Sequence, residues 1–296
     1  MMFNMKNKNY IKGFLYISLF ILVYIYLSIL KPIYYYDSSR IYELTKVQPI
    51  YRVSLMNAFL DKQYEKDSIL ILGDSQPHGF RYPTKDVFPT LLSKKLGKKV
   101  INAAFHDARI LDSIYVLEYL KSKNRKFDTI VFNINHAHIK QPNLHKLEME
   151  HPVHYTIGIL KNSKNFEYFT HHFNPSRRPN FIFHKYTNIP NFFVMPDKDL
   201  ALYLSQFQKL IMLAKSISTQ VIIYATAHCT EDLKRLKLNS PTIGQLDNKI
   251  QNICRESNVT FLKPDIVKKE YFNDLVHFNS KGHRKMAEIL YKIVKK

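Results

Sequence analysis

The stretch ILILGDSQPHGF, residues 69–80, sets four apolar residues against a Gly-Asp-Ser turn and a His-Gly pair. A short apolar run that stops on glycine reads as a strand buried on both faces, and strands of that kind belong to parallel sheets. In such sheets ligands bind outside the carboxyl ends of the strands, so Ser75 would present its hydroxyl where chemistry is done. The same tripeptide also reads as a plain turn with an Asp or Ser cap. The rest of the chain has to decide between the two.

Outward from this stretch, apolar runs of strand length recur at Val100–Ala104, Thr129–Ile134, Val221–Tyr224 and Val259–Leu262. Helix-period segments lie between most of them, at Phe88–Leu96, Ala108–Lys123, Lys198–Ser218, Ile243–Ser257 and Ser280–Lys295. Buried strands alternating with amphipathic helices predict right-handed crossovers and an α/β fold: a three-layer α/β/α sandwich around a central, mostly parallel five-stranded sheet. The pattern lapses over about 138–197, which is dense in Asn, His, Phe and Pro. Loops of such length in a compact domain are functional or disordered, and this one is too aromatic for disorder. It reads as an ordered insertion over the active face or as a self-contained packing excursion. Arg177 and Arg178 within it read equally as a grip for an acidic glycan and as a solvated basic tip.

The other strand ends add polar groups at the same edge. The third strand delivers Asn135 with His136 beside it, the second delivers the backbone of Ala104, and DLVHFNSKGH supplies Asp274 and His277 ahead of the last helix. A serine hydroxyl needs a base, and an imidazole base needs a carboxylate on its other nitrogen to fix the tautomer. Asp274 and His277, three apart on one loop, fit that pairing. A developing oxyanion needs donors, which the N–H groups of Ser75 and Ala104 and the amide of Asn135 would supply. Each residue also has a structural reading: Ser75 as a helix cap, Asp274 and His277 as a capping pair, Asn135 as a satisfied strand end. Asp74, His78 and His136 are candidate substrate-lining residues.

This order of Gly-Asp-Ser, a small-residue turn, an Asn and a final Asp-x-x-His resembles the SGNH (GDSL-type) hydrolase superfamily over about 68–296, less the insertion. The resemblance implies a flavodoxin-like sandwich with Ser75 as nucleophile, His277 and Asp274 as base and acid, and Ser75, Ala104 and Asn135 as the oxyanion hole. It places Asp74 in the motif but outside the triad. The chain departs from the pattern twice: Ala104 stands for the second-block Gly, and NINH (133–136) stands for Gly-x-Asn-Asp. An Asn-His pair with an apolar N-terminus is similar to membrane-anchored envelope members of the superfamily. These include partners of multi-span membrane O-acyltransferases and, more distantly, the D-alanine transfer protein of teichoic acid synthesis.

That N-terminus, GFLYISLFILVYIYLSIL (13–30), has 18 residues without a charge, roughly 27 Å as a helix and close to the hydrocarbon thickness of a bilayer. No small-x-small cleavage site follows, which favours an uncleaved anchor over a signal peptide. Lys6, Lys8 and Lys12 precede the span, whereas Lys31 and Arg40 after it are offset by Asp37. Positive-inside bias then puts 1–12 in the cytoplasm and the rest outside. Residues 31–67, tyrosine-rich and charged, read as a juxtamembrane connector with one or two short helices, and 68–296 as the hydrolase-like domain.

A net charge of +20, from 44 Lys and Arg against 24 Asp and Glu, suits lipid headgroups or an acidic glycan; no nucleic-acid motif is present. Cys229 and Cys254 are the only cysteines, so they form a single bridge or remain two thiols. The 13 histidines include His136-x-His138, but no H-E-x-x-H and no carboxylate-rich companion, and neither metal nor cofactor is expected. The reading is therefore an extracytoplasmic, single-pass serine esterase or O-acyltransferase on acyl esters of an envelope polysaccharide. The expected partners are the bilayer, that polymer and a multi-span O-acyltransferase. A catalytically idle scaffold or glycan-binding subunit is the alternative.

Overall fold

Ile69–Leu72 is a strand with all four residues buried, as its apolar run requires, and it sits inside the sheet with a neighbour on each side. The computed structural model describes residues 16–20, 22, 49–79, 82–140, 142, 147, 197–235 and 241–295. In chain order these hold α1 (Pro49–Gln63), β1 (Ile69–Leu72), α2 (Ser75–His78), α3 (Phe88–Leu96), β2 (Val100–Asn102), α4 (Ile110–Ser122), β3 (Phe127–Ile134) and α5 (Asp197–Ile217). They continue with β4 (Ser218–Ala225), α6 (Thr230–Arg235), α7 (Pro241–Glu256), β5 (Thr260–Leu262) and α8 (Ser280–Val294).

The strands run in the order β2-β1-β3-β4-β5, and every pairing is parallel. In this doubly wound order the chain reverses direction across the sheet between β1 and β3, and ligands of such folds bind at that switch point. Alternation along the strands divides the core in two. Ile69, Ile71, Val131, Ile222 and Tyr224 pack with Phe88 and Leu92 of α3 and with Met286, Ala287 and Leu290 of α8. Helices α4 and α5 pack together and bury Val116, Leu117, Leu120, Phe207, Leu210 and Ile211. Local chemistry sets the helix limits: Asn279 accepts from the N–H groups of Lys281 and Gly282 to start α8, and Gly97, at φ 65°, ends α3.

Helix α1 falls within the expected connector (31–67), yet it buries Met56, Phe59 and Leu60. It also bonds α4 through Asn57–Tyr115 at 3.0 Å and Tyr119–Asp61 at 2.7 Å, so it belongs to the domain's core. Cys229 and Cys254 are both free thiols, buried, with no bridge between them. Burial pushes the Cys254 thiol up to about 12.

Met1–Ser38 and Ser39–Lys296 are separate units. The expected span, 13–30, lies largely outside the described residues; its described part is helical at 16–20 and 22, with Tyr16, Ile17, Leu19, Phe20 and Leu22 exposed. Among the described residues no helix is long and apolar enough to cross a membrane. The expected insertion lies almost wholly outside them too. Its first residues form a 3-10 turn at His136–Lys140, and Leu147 donates its N–H to Asp112 at 2.8 Å.

Candidate active site

The sharp turn after β1 explains why the strand ends on Gly-Asp-Ser. Gly73 has φ +134°, and a Cβ there would stand 2.6 Å from Cβ of Asn133 on β3. Only glycine fits, on both counts. Asp74 follows as the cap of α2, its Oδ1 accepting the N–H of Gln76 at 3.0 Å, and Ser75 opens that one-turn helix.

The loop before α8 meets Ser75 from 202 residues away: His277 Nε2 lies 2.9 Å from Ser75 Oγ. On the other side of the ring, Nδ1 lies 2.7 Å from Asp274 Oδ2. With Nδ1–H donating to the carboxylate, Nε2 is left to accept the serine hydroxyl, the tautomer being assigned from these partners. Asp274 Oδ1 also accepts the backbone N–H groups of His277 at 2.8 Å and Val276 at 3.0 Å. Burial pushes the Asp274 carboxyl up, but the His277 hydrogen bond and charge and the two backbone donors outweigh it and hold the group below the usual carboxylate range. The side chain of His277 is 18% exposed, so a substrate can reach the dyad.

Strand order decides which other groups gather here. Because β2, β1 and β3 are neighbours, the residues after them, Ala104, Ser75 and Asn135, emerge side by side at the carboxyl edge. Ser75 N–H is the first of α2, a position with no intrahelical carbonyl partner. Ala104 N–H donates to Asn102 Oδ1 at 3.3 Å, and Asn135 Nδ2 donates to Asp74 Oδ2.

The candidate lining residues carry polar partners of their own. Asp74, His78 and His136 are all buried. Asp74 is taken up by the cap and by Asn135, and His78 Nδ1 lies 3.1 Å from the carbonyl oxygen of Ala104. His136 turns into the interior, its Nε2 2.8 Å from Asp247 Oδ1 on α7, its ring beside that of His228.

His138, weighed in the sequence only as half of a His-x-His pattern, stands nearby with residues that sequence reasoning passed over. His138 approaches Asp107 at 3.5 Å and Asp74 at 4.0 Å, and Arg109 pairs with Asp107 at 3.0 Å. Asp107 holds φ 61°, a left-handed conformation that aspartate tolerates better than most residues. His106 is pushed below its ordinary value by burial first and by His277 second. No periodicity marks these loop positions; the HDAR run (106–109) just past a strand end was the available signal.

No protein-family profile and no curated protein sequence matches the chain. Solved structures do resemble it. A member of the lipolytic G-D-S-L family from Veillonella parvula is 14% identical, with TM-score 0.47, covering 77% of this chain and 98% of its own. A catalytic mutant of an acetylxylan esterase from Geobacillus stearothermophilus is 12% identical, with TM-score 0.48, covering 78% and 96%. Another acetyl xylan esterase is 17% identical, with TM-score 0.46, covering 76% and 99%. At such values the likenesses carry no argument about activity, which rests on the geometry of Ser75, His277 and Asp274.

Proposed function

We propose that the chain is an SGNH-type serine esterase or O-acyltransferase that works on acyl esters through an acyl-enzyme. The observation that carries this is the continuous Asp274–His277–Ser75 hydrogen-bond chain, 2.7 and 2.9 Å, at the switch point of a doubly wound sheet. Ser75 Oγ adds to the ester carbonyl while its proton passes to His277 Nε2, and the ionised Asp274 stabilises the imidazolium. The carbonyl oxygen, now negative, sits among Ser75 N–H, Ala104 N–H and the Asn135 amide. Collapse breaks the ester C–O bond, and the leaving alcohol takes the proton from Nε2. Water or a second hydroxyl then repeats the steps on the Ser75 ester, giving hydrolysis or transfer respectively.

The substrate we assign is an acetyl-type or D-alanyl-type ester of a cell-envelope polysaccharide, with the domain outside the cytoplasm on a single-pass anchor and a multi-span O-acyltransferase as partner. The uncharged run 13–30, the lysines ahead of it and the net charge of +20 support this reading. A reporter fused after Lys296 should be active only outside the cytoplasm, and activity inside would overturn the localisation. Purified chain incubated with O-acetylated or D-alanylated polymer should release or move the acyl group. Failure on both polymers, with p-nitrophenyl acetate still cleaved, would remove the polysaccharide assignment and leave the esterase.

A further inference from the structure

The triad joins two segments 202 residues apart in sequence, and among the described residues no strand pairing links them directly. The side chain next to the nucleophile does. Gln76 is 1% exposed, and its amide makes three bonds to distant backbone. Nε2 donates to the carbonyl of Val276 at 2.6 Å and to that of Ala227 at 3.1 Å, and Oε1 accepts the N–H of Ala227 at 3.3 Å. Both amide protons are therefore used, each on a different loop. Val276 immediately precedes His277. Ala227 lies in the turn after β4, and that turn is stitched to the same acid-base loop by Cys229 N–H donating to Leu275 O at 2.9 Å.

We infer that Gln76 is a positioning residue: its amide clamps the loop carrying His277 to the helix carrying Ser75 and so sets the Nε2–Oγ distance. The inference rests on the proposed serine mechanism. A glutamine in this buried place is hard to explain by packing, since an apolar residue of its size would fill the space without three satisfied bonds. The amide is the neutral group that can donate to two carbonyls and accept from one N–H at once. A carboxylate in its place would face the Val276 and Ala227 oxygens with like charge, whereas a carboxylic acid would keep the acceptor and regain one donor. Gln76 touches no reacting atom; it acts through the placement of His277.

The test compares Gln76→Leu, Gln76→Glu and Ser75→Ala with the unaltered chain, each shown folded by circular dichroism, in kcat and KM for p-nitrophenyl acetate across neutral and mildly acid pH. Displacement of the imidazole should lower kcat of Gln76→Leu on the order of 10²-fold, with KM little changed. Gln76→Glu should outperform Gln76→Leu, increasingly so as pH falls. Each rate is taken relative to the unaltered chain at the same pH. Gln76→Leu with full kcat, or Gln76→Glu never better than Gln76→Leu, would overturn the clamp while an inactive Ser75→Ala kept the serine mechanism standing. Should Gln76→Leu fail to fold, the Gln76→Glu ratio to the unaltered chain decides alone, a ratio flat with pH overturning the clamp. Full activity in Ser75→Ala would overturn mechanism and clamp together.

Discussion

Asn135, the residue after β3, donates its side-chain amide to Asp74, the residue just before Ser75, so in the proposed mechanism the oxyanion donor is aimed by a carboxylate on the β1 turn. The bond occupies one N–H of the amide and fixes its plane. In that mechanism Asp74 acts through Asn135. Asn135→Ala should lower kcat about 10²–10³-fold. Asp74→Asn can still cap α2 through its Oδ1, but it sets an N–H against that of Asn135 and should lower kcat with little loss of stability. Two residues that act as one unit give non-additive losses, so the double variant should cost scarcely more than Asn135→Ala alone. Additive losses in the cycle would separate the two residues.

Asp274 is held below the usual carboxylate range against its burial, and it therefore stays ionised wherever His277 must be paired. Asp274→Asn keeps the shape but admits the wrong imidazole tautomer, and kcat should fall on the order of 10⁴-fold. Circular dichroism should be unchanged. A loss of less than tenfold would show that the carboxylate is not needed at the ring.

His228 is pushed down to about 3, by burial first and by His136 second. Its folded value lies below its unfolded one, about 6.5, so the unfolded chain binds a proton that the folded chain refuses. Stability is then full above the unfolded value and declines as pH drops from about 6.5 towards the folded value, by about 1.4 kcal/mol per pH unit for one proton. The carboxylates Asp274, Asp247 and Asp232 all lie below their ordinary range. Their contribution is present above the unfolded carboxylate value and is lost only in more acid solution. Urea midpoints against pH should thus show a first decline that His228→Asn flattens and a second, more acid one that it leaves. A first decline unchanged in His228→Asn would assign it elsewhere.

Gly73→Ala combines a φ of +134° with a Cβ 2.6 Å from that of Asn133, and the second atom sits on a central strand that cannot move aside. Backbone strain alone costs about 1–3 kcal/mol, and the overlap adds to it. The variant should unfold at clearly lower urea, and its refolded fraction should be impaired in catalysis because Ser75 is displaced. Unchanged stability would mean that the turn is far softer than its contacts imply.

Much of the fold was legible because its signals are local. The apolar run 69–72 and the helix Phe88–Leu96 have the limits their sequence suggests, since that strand is buried along its whole length and that helix buries Phe88, Pro89 and Leu92. Strand order, by contrast, is a tertiary fact, and no residue between 69 and 134 encodes that β1 lies between β2 and β3. Within the expected connector the sequence suggested one or two short helices, but not that one of them, α1, would bury Met56, Phe59 and Leu60 in the domain. At the site, Ser75, Asp274 and His277 could be named since their chemistry restricts residue type and spacing. Gln76 could not, because a polar residue reveals its worth only through partners 151 and 200 positions away. The partner of His136, Asp247, was beyond reading for the same reason, lying 111 residues on.

The central claim, that Ser75 is a nucleophile activated by His277, is tested most directly by mass spectrometry of the intact chain after exposure to a fluorophosphonate. The hydroxyl displaces fluoride to form a stable phosphonyl ester, and the added mass is placed by peptide mapping. The account predicts one adduct, on Ser75, absent from Ser75→Ala and formed far more slowly in His277→Ala. No adduct on Ser75 in the folded chain, or a Ser75→Ala chain that still cleaves p-nitrophenyl acetate at full rate, would contradict it.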